Sequence, residues 1–236
     1  MNWLRALSSS VGKKFLMAIT GLLLCGFLVT HLAGNLLITL GGTHFDDYAH
    51  KLHSNEGLLM VAETGLFGIF ILHLYLAMSL TWGNTTARGR GYAVTKSKRD
   101  DTVTNVRPDK WMIGSGIILF AYILLHLFDF KFQRFGWDPV LNELVGDSES
   151  VTTKVAVHVL KSPVTLVGYA AGFVFLFAHL SHGVSSACQS LGLNHSKYNC
   201  LIKWGSIAFA AVIFVGFLYV LLWAAGQPTP GPEVSP

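Results

Sequence analysis

Residues 15–40 read FLMAITGLLLCGFLVTHLAGNLLITL, a run without Asp, Glu, Lys or Arg in which His31 is the only ionisable nitrogen base. A helix needs about 20 apolar residues to cross roughly 30 Å of hydrocarbon. The run therefore predicts a membrane-spanning helix over Lys14–Leu40. It is too long for the apolar region of a cleaved signal peptide, and no small-x-small cleavage site follows it. We expect this helix to remain in the mature protein.

Four further stretches have the same character, and the chain is 52% hydrophobic and 13% charged, against about 25% charged residues in soluble domains. Because backbone polar groups must be satisfied internally in lipid, the spans are helices. We predict an all-α integral membrane protein, with one domain over residues 1–226, a disordered Pro-rich tail at 227–236 and no internal repeat. The predicted spans are Lys14–Leu40, Gly57–Trp82, Lys110–Phe130, Ser162–Leu191 and Lys203–Gly226.

Basic residues concentrate on one side of these spans. If all five helices cross, the amino-terminal segment and the loops 83–109 and 192–202, with their flanking lysines, share one face and hold 12 of the 17 Lys and Arg residues. The positive-inside rule places the amino terminus in the cytoplasm and the carboxyl terminus outside. Segment 129–157 is expected as an outer loop, acidic around Asp147 and Glu149. The net charge of +4 comes from residues flanking the helices, so no nucleic-acid partner is indicated.

Each of the first four predicted helices carries one histidine deep within it, and ionisable groups inside a membrane are usually functional. At a rise of 1.5 Å per residue, His31 and His126 lie roughly 24 and 22 Å from the inner edge, and His73 and His179 roughly 14 and 12 Å. We call His31 and His126 the outer pair, and His73 and His179 the inner pair. Their levels are expected to differ by roughly 10 Å.

Paired imidazoles in a helix bundle are typical axial ligands of haem iron. We expect the first four helices to form a bundle that binds two haems, one at each pair. His182 is three residues from His179, and spacing alone allows either to be the ligand. Small residues near the ligands are expected to let a porphyrin approach the backbone; they are Gly34, Gly68, Gly172 and Gly183.

The three cysteines, Cys25, Cys188 and Cys200, form no CxxC or CxxCH pattern. Covalent c-type haem and thiolate-held iron–sulfur clusters are therefore not indicated. The remaining histidines lie in predicted loops or at helix ends, where a surface position is expected.

Three short patterns give the chain a family resemblance. They are the SSSVGKK of residues 8–14 followed by Thr20-Gly21, the HLAGN of residues 31–35 and the HLSHG of residues 179–183. With five helices and a histidine in each of the first four, the chain resembles the di-haem cytochrome b subunit of succinate:quinone oxidoreductases and quinol:fumarate reductases. The family's fourth ligand pattern, His-x-x-x-Gly, favours His179 over His182, which would then lie near the haem edge or its propionates.

The resemblance implies a subunit that anchors a flavoprotein subunit and an iron–sulfur subunit on the cytoplasmic face of a bacterial inner membrane. It implies two haem b groups and exchange of electrons with menaquinone or menaquinol near the outer haem. Dicarboxylate chemistry would belong to the other subunits, and dimers of the heterotrimer are compatible with it. Either succinate oxidation or fumarate reduction fits this architecture.

A quinone site needs a proton donor or acceptor, and Glu63 is the candidate. It lies ten residues before His73, hence roughly 15 Å further outward and near the outer-haem level. The alternative is a carboxylate paired at the outer interface. His53 and Glu56 are candidates for conducting protons to Glu63. Some relatives carry a Glu two residues before the fourth ligand, where this chain has Phe177, so that route is in doubt here.

Candidate partners of the haem propionates are basic residues at the two edges of the membrane: Lys13, Lys14, Arg88 and Arg90 on the inner side, and Lys131 and Arg134 on the outer side. Two other functions stay open. One is a di-haem cytochrome b of another quinone-linked dehydrogenase or hydrogenase. The other is a transporter whose histidines relay protons.

Overall fold

Helices form the described part of the chain, which in this computed structural model comprises residues 3–41, 43–87, 108–132, 138 and 151–228. A 3-10 turn at Leu37–Leu40 continues the second helix, and a π-helical turn at Leu127–Lys131 continues the fifth. In chain order the α-helices are α1 (Trp3–Ser8), α2 (Ser10–Leu36), α3 (His44–His53), α4 (Glu56–Thr86), α5 (Pro108–His126), α6 (Val151–Lys161), α7 (Pro163–Ser190) and α8 (Asn199–Gly226).

Five segments are long and apolar enough to cross a membrane. They are α2 with its 3-10 turn, α4, the segment Trp111–Lys131, α7 and α8, and their mean hydropathies run from 1.7 to 2.6. Each overlaps one of the five predicted spans. Length and composition therefore give the chain the character of a multi-pass membrane protein.

Two of the long helices begin earlier than their apolar runs because polar side chains cap them. The Ser9 side chain accepts a hydrogen bond from the Gly12 N–H at 3.1 Å, so α2 begins at Ser10 rather than Lys14. The Asn55 side chain accepts from the Leu58 N–H at 3.1 Å at the start of α4. Such caps satisfy otherwise unpaired N–H groups of the first turn, and hydropathy alone does not mark them.

Four of the helices surround a common axis. Helix α2 packs directly against α4 and α7, and α7 packs against α5. On the fourth side, α4 and α5 are joined by side chains that reach between them, with the Phe70 and Phe120 ring centroids 6.4 Å apart. In this arrangement α2 lies diagonally opposite α5, and α4 lies diagonally opposite α7.

The fifth spanning helix belongs to the same core as the other four. A buried apolar cluster joins α2, α7 and α8, and Ala210 and Ala224 of α8 are fully buried in it. A Cβ atom added at Gly216 would lie 2.7 Å from Leu32 Cδ2, so glycine lets α8 approach α2 closely. Small residues serve such close approach in membrane helices. The four-helix arrangement is thus supported along one side by α8.

Two short helices lie in segments that the sequence predicts as connections. Helix α3 follows the first span, and α6 lies partly within the predicted outer loop 129–157. They are held together by Asp46, which is buried and accepts hydrogen bonds from the Thr153 N–H and hydroxyl, both at 2.9 Å. Asp46 thus caps the first turn of α6, although it lies 107 residues before Thr153 in the chain. Hydropathy patterns do not reveal such a distant cap.

Several residues named from the sequence lie outside the described ranges. They are Arg88, Arg90 and Arg134, the acidic Asp147 and Glu149, and the tail residues 229–236.

Close packing at Gly172 gives a test of the fold. A Cβ atom there would lie 2.5 Å from Tyr122 Cδ2 and 2.7 Å from Tyr122 Cγ. Gly172→Ala should therefore destabilise the protein by about 1–3 kcal/mol, the usual cost of overpacking, as measured by unfolding in detergent. Gly26→Ala is the matched control, because Gly26 is exposed with no atom within 4 Å of an added Cβ. Equal stabilities for the two variants would contradict the α5–α7 packing.

Candidate functional site

The outer pair meets across one diagonal of the bundle. The ring centroids of His31 on α2 and His126 on α5 lie 5.8 Å apart, at an interplanar angle of 84°. Since a metal–imidazole bond is about 2 Å long, two imidazoles on opposite sides of one metal ion place their ring centroids about 6 Å apart. Phe27 stacks on His31 at 5.1 Å, and Phe217 of α8 contacts it at 5.8 Å.

The inner pair lies on the other diagonal. His73 on α4 and His179 on α7 are close enough to interact electrostatically. The His73 Nδ1 lies 3.0 Å from Thr20 Oγ1 of α2, and the His179 Nδ1 lies 3.1 Å from Ser115 Oγ of α5. Each inner histidine is therefore held by a hydroxyl from one of the helices that carry the outer pair.

The Thr20 hydroxyl favours one tautomer of His73. Thr20 Oγ1 donates within its own helix, lying 3.0 Å from the Leu16 carbonyl oxygen and 3.1 Å from that of Met17. A hydroxyl has one proton, and when it is donated within α2 the oxygen accepts from the His73 Nδ1–H. The Nε2 of His73 then carries a lone pair, which is the form that binds a metal.

Ser115 does the same for His179. Its hydroxyl donates to the Met112 carbonyl oxygen at 3.1 Å and is 1% exposed. The remaining lone pairs accept from the His179 Nδ1–H, which again leaves Nε2 unprotonated. Hydrogen bonding of the second ring nitrogen is how proteins orient metal-binding imidazoles.

A tyrosine has this role at the outer pair. The Tyr169 hydroxyl, on α7, lies 3.2 Å from His126 Nδ1 and donates to Asp129 Oδ2 at 3.2 Å. Its oxygen is therefore left to accept from the His126 Nδ1–H. Three of the four histidines thus share one arrangement, in which a hydroxyl binds Nδ1 and Nε2 is available.

The contacts reveal a repeated spacing where no internal repeat was predicted. Thr20-Gly21 precedes His31 as Ser115-Gly116 precedes His126, with nine residues between the glycine and the histidine in both cases. Eleven residues from hydroxyl to histidine make about three helical turns, so both side chains lie on one face of the helix. Helices α2 and α5 therefore each place a hydroxyl residue at the inner level and a histidine at the outer level.

Helices α4 and α7 show a second spacing of the same kind. Glu63 lies ten residues before His73, and Tyr169 lies ten residues before His179. The two halves of the bundle, α2 with α4 and α5 with α7, therefore place corresponding residues at corresponding levels. At this position the halves differ, with a carboxylate in the first and a phenol in the second.

The separation of the two levels is larger than predicted. Since His73 meets Thr20, the levels differ by the eleven residues between Thr20 and His31, about 16 Å along the helix, instead of roughly 10 Å. The difference arises because the predicted depth of His73 was counted from Trp82, the predicted end of the α4 span. Lys13, near the start of α2, donates to Ser79 Oγ at 2.7 Å, several residues before the predicted end of that helix. His73 therefore lies nearer to that edge than expected.

Glycines of the facing helices adjoin the inner histidine rings. A Cβ atom at Gly21 would lie 3.3 Å from His73 Cε1, and one at Gly116 would lie 3.7 Å from His179 Cε1. Two of the glycines expected to face a porphyrin face tyrosine side chains instead. The Tyr48 side chain packs on Gly34, and the Tyr122 side chain packs on Gly172.

The other two glycines predicted to face a porphyrin have more room. An added Cβ atom at Gly68 would meet no atom within 4 Å, and one at Gly183 would lie 3.8 Å from Met112 Cε.

Glu63 lies near the outer level. Its carboxylate is in an ion pair, which was the alternative to a role at a quinone site. Its carboxylate accepts hydrogen bonds from Lys131 Nζ at 2.6 and 2.8 Å, and the two side chains are about half exposed. Lys131, a candidate propionate partner, is thus engaged with Glu63. His53 and Glu56, the candidate proton conductors, are both exposed at the α3–α4 connection.

The remaining predicted residues near the inner level are placed as follows. His182 is half-buried one turn beyond His179, and it is His179 that Ser115 contacts. Phe177 packs against Phe214 of α8 with ring centroids 6.0 Å apart. Lys14 is exposed.

Sequence reasoning missed the four groups that support the histidines: Thr20, Ser115, Tyr169 and Asp129. The twofold occurrence of a hydroxyl residue, glycine, nine residues and histidine was the available signal for the first two. Nothing in the local pattern marks Tyr169 or Asp129, because their role depends on how α5 and α7 pack.

Within the described ranges, no three His, Cys, Asp or Glu side chains converge as a metal-binding group. The site consists instead of imidazole pairs. No family of known proteins, no curated protein and no solved structure matches the chain.

The fixed tautomers can be tested directly. In protein labelled with ¹⁵N-histidine and freed of bound metal and haem, Thr20→Val should release His73 alone into a mixture of tautomers, because the acceptor of its Nδ1–H is lost. Nitrogen chemical shifts in solid-state NMR would report this change. Thr30→Val is the control, because Thr30 is exposed and bonds only within α2. Wild-type protein with an unprotonated Nδ1 on His73 would contradict the assignment.

Proposed function

We propose that this chain is the di-haem cytochrome b subunit of a succinate:quinone oxidoreductase or quinol:fumarate reductase. His31 and His126 would ligate one haem b, and His73 and His179 the other. The observation that carries the proposal is the hydroxyl contact to Nδ1 of three of these histidines, which leaves Nε2 to bind a metal.

The residues present fit two haems. Each pair joins diagonally opposite helices, so its imidazoles approach from opposite sides of the bundle axis. Gly21 and Gly116 keep the backbone close to the inner rings without a side chain between. When bound, haem supplies a reversible one-electron carrier whose potential depends on its ligands and their hydrogen bonds.

The protein's own contribution is position and environment. Thr20 and Ser115 orient the inner ligands, and Tyr169 orients His126. The two levels are about 16 Å apart along the bundle, which would carry electrons through the membrane in two steps. Apolar side chains around the outer pair, such as Phe27 and Phe217, exclude water from His31.

Charge distribution and the family resemblance extend the proposal to the complex. The basic amino-terminal side would face the cytoplasm of a bacterium and bind the iron–sulfur subunit, which in turn would carry the flavoprotein. Menaquinone would react near the outer level, where Glu63 would exchange a proton with it. Charge and spacing do not favour either direction of electron flow.

Single substitutions distinguish the proposed inner ligand from its neighbour. Haem extraction from the purified wild-type complex should give two non-covalent haems per chain. His179→Ala should retain one, because the inner iron loses a ligand, whereas His182→Ala should retain both. Pyridine haemochrome spectra measure the content.

One haem in the wild-type chain would contradict the paired ligands, and loss of haem in His182→Ala alone would assign that histidine instead. Protein without any haem absorbance would support a transporter with proton-relaying histidines.

Glu63→Gln tests the proton role. It keeps the size of the side chain but removes the ionisable carboxyl group, so quinone turnover should fall by about 10²-fold or more, the contribution usual for a general acid–base group, while haem content is unchanged. Lys131→Met is the matched variant, since it breaks the same ion pair but keeps Glu63. If both variants turn over quinone like wild type, Glu63 only pairs with Lys131.

A further inference from the structure

A buried carboxylate lies behind the outer pair. Asp129 is 2% exposed in the π-helical turn that follows His126, and its Oδ2 accepts a hydrogen bond from the Tyr169 hydroxyl at 3.2 Å. Tyr169 is 3% exposed and in turn accepts from the His126 Nδ1–H. A carboxylate in a membrane helix is costly and usually serves a function. Here three side chains form one chain of hydrogen bonds that ends on a proposed ligand.

The π-helical turn makes this arrangement possible. The Phe132 N–H bonds to the Leu127 carbonyl oxygen at 2.9 Å, which is a wider turn than an α-helix has. Phe130 packs on the His126 ring with centroids 5.2 Å apart and on the Tyr169 ring at 6.3 Å. Asp129 and Phe130 therefore both reach Tyr169. Such turns recur at functional sites.

At the inner pair, the hydroxyls that contact the histidines do not donate to a charged group in these hydrogen bonds. Thr20 and Ser115 donate to backbone carbonyls of their own helices, which are neutral acceptors. Tyr169 donates to a carboxylate, and hydrogen bonds to ionised groups are roughly twice as strong as neutral ones. The outer histidine is thus supported differently from the inner two.

We propose that Asp129 and Tyr169 are positioning residues that set the ligand strength of His126. The inference rests on the proposed function. Asp129 polarises the Tyr169 hydroxyl, which holds the Nδ1–H of His126 more firmly and increases electron density at Nε2. A more basic imidazole stabilises oxidised iron, so this support lowers the potential at the outer pair. Thr20 and Ser115 have a weaker effect of this kind at the inner pair, because they donate to neutral carbonyls.

The test is a redox titration of the purified complex with both haems resolved by optical and EPR spectra. The outer-haem signal is identified as the one lost in His126→Ala. Asp129→Asn should shift the outer-haem midpoint upward, because the charge is removed at constant shape, and Asp129→Glu should restore it in part. Ser115→Ala is the matched control and should change the inner-haem signal alone.

Tyr169→Phe keeps the aromatic contacts and removes only the hydroxyl, so it tests the same link if Asp129→Asn does not assemble. It too should raise the outer midpoint. Unchanged outer midpoints and EPR signals in Asp129→Asn or Tyr169→Phe would overturn the inference while the proposed function stands. Equal shifts of both haems would also overturn it. Wild-type protein without haem would overturn the proposed function and this inference with it.

Discussion

The site depends on hydroxyl groups whose single proton is already donated elsewhere. Thr20 and Ser115 are placed to donate to carbonyls of their own helices and Tyr169 to Asp129, so each oxygen is available to accept from an imidazole Nδ1–H. Each contact joins two helices, and each leaves a ring nitrogen free for a metal. One kind of hydrogen bond thus contributes both to the register of the bundle and to its chemistry.

The same contacts relate the two halves of the bundle. Helices α2 and α5 each carry a hydroxyl residue eleven positions before a histidine, so each helix contacts one histidine of the inner pair and carries one histidine of the outer pair. The halves diverge at Glu63 and Tyr169, which occupy equivalent positions on α4 and α7. The phenol supports His126, whereas the carboxylate pairs with Lys131 at the bundle surface. This divergence gives the outer level two unlike sides, one where a phenol contacts a histidine and one where a carboxylate forms a half-exposed ion pair.

Hydropathy predicted the five spans, and counting residues along them predicted that His31 and His126 share a level, because both follow from a constant rise per residue. The helix starts were missed where side chains such as Ser9 cap the first turn. Helix α6 was missed because its cap, Asp46, lies 107 residues away. Asp129 was predicted at the start of the outer loop, since its burial depends on the π-helical turn and on Tyr169. Long-range packing decides these features, and local pattern does not contain it.

The central claim is that the two histidine pairs are two bis-imidazole metal centres at different levels. The most direct measurement is the low-temperature EPR spectrum of the oxidised, purified wild-type complex during a redox titration. Two low-spin ferric haem signals that disappear in separate one-electron steps are the predicted result. A single signal, or a high-spin signal from iron with only one histidine ligand, would contradict the account.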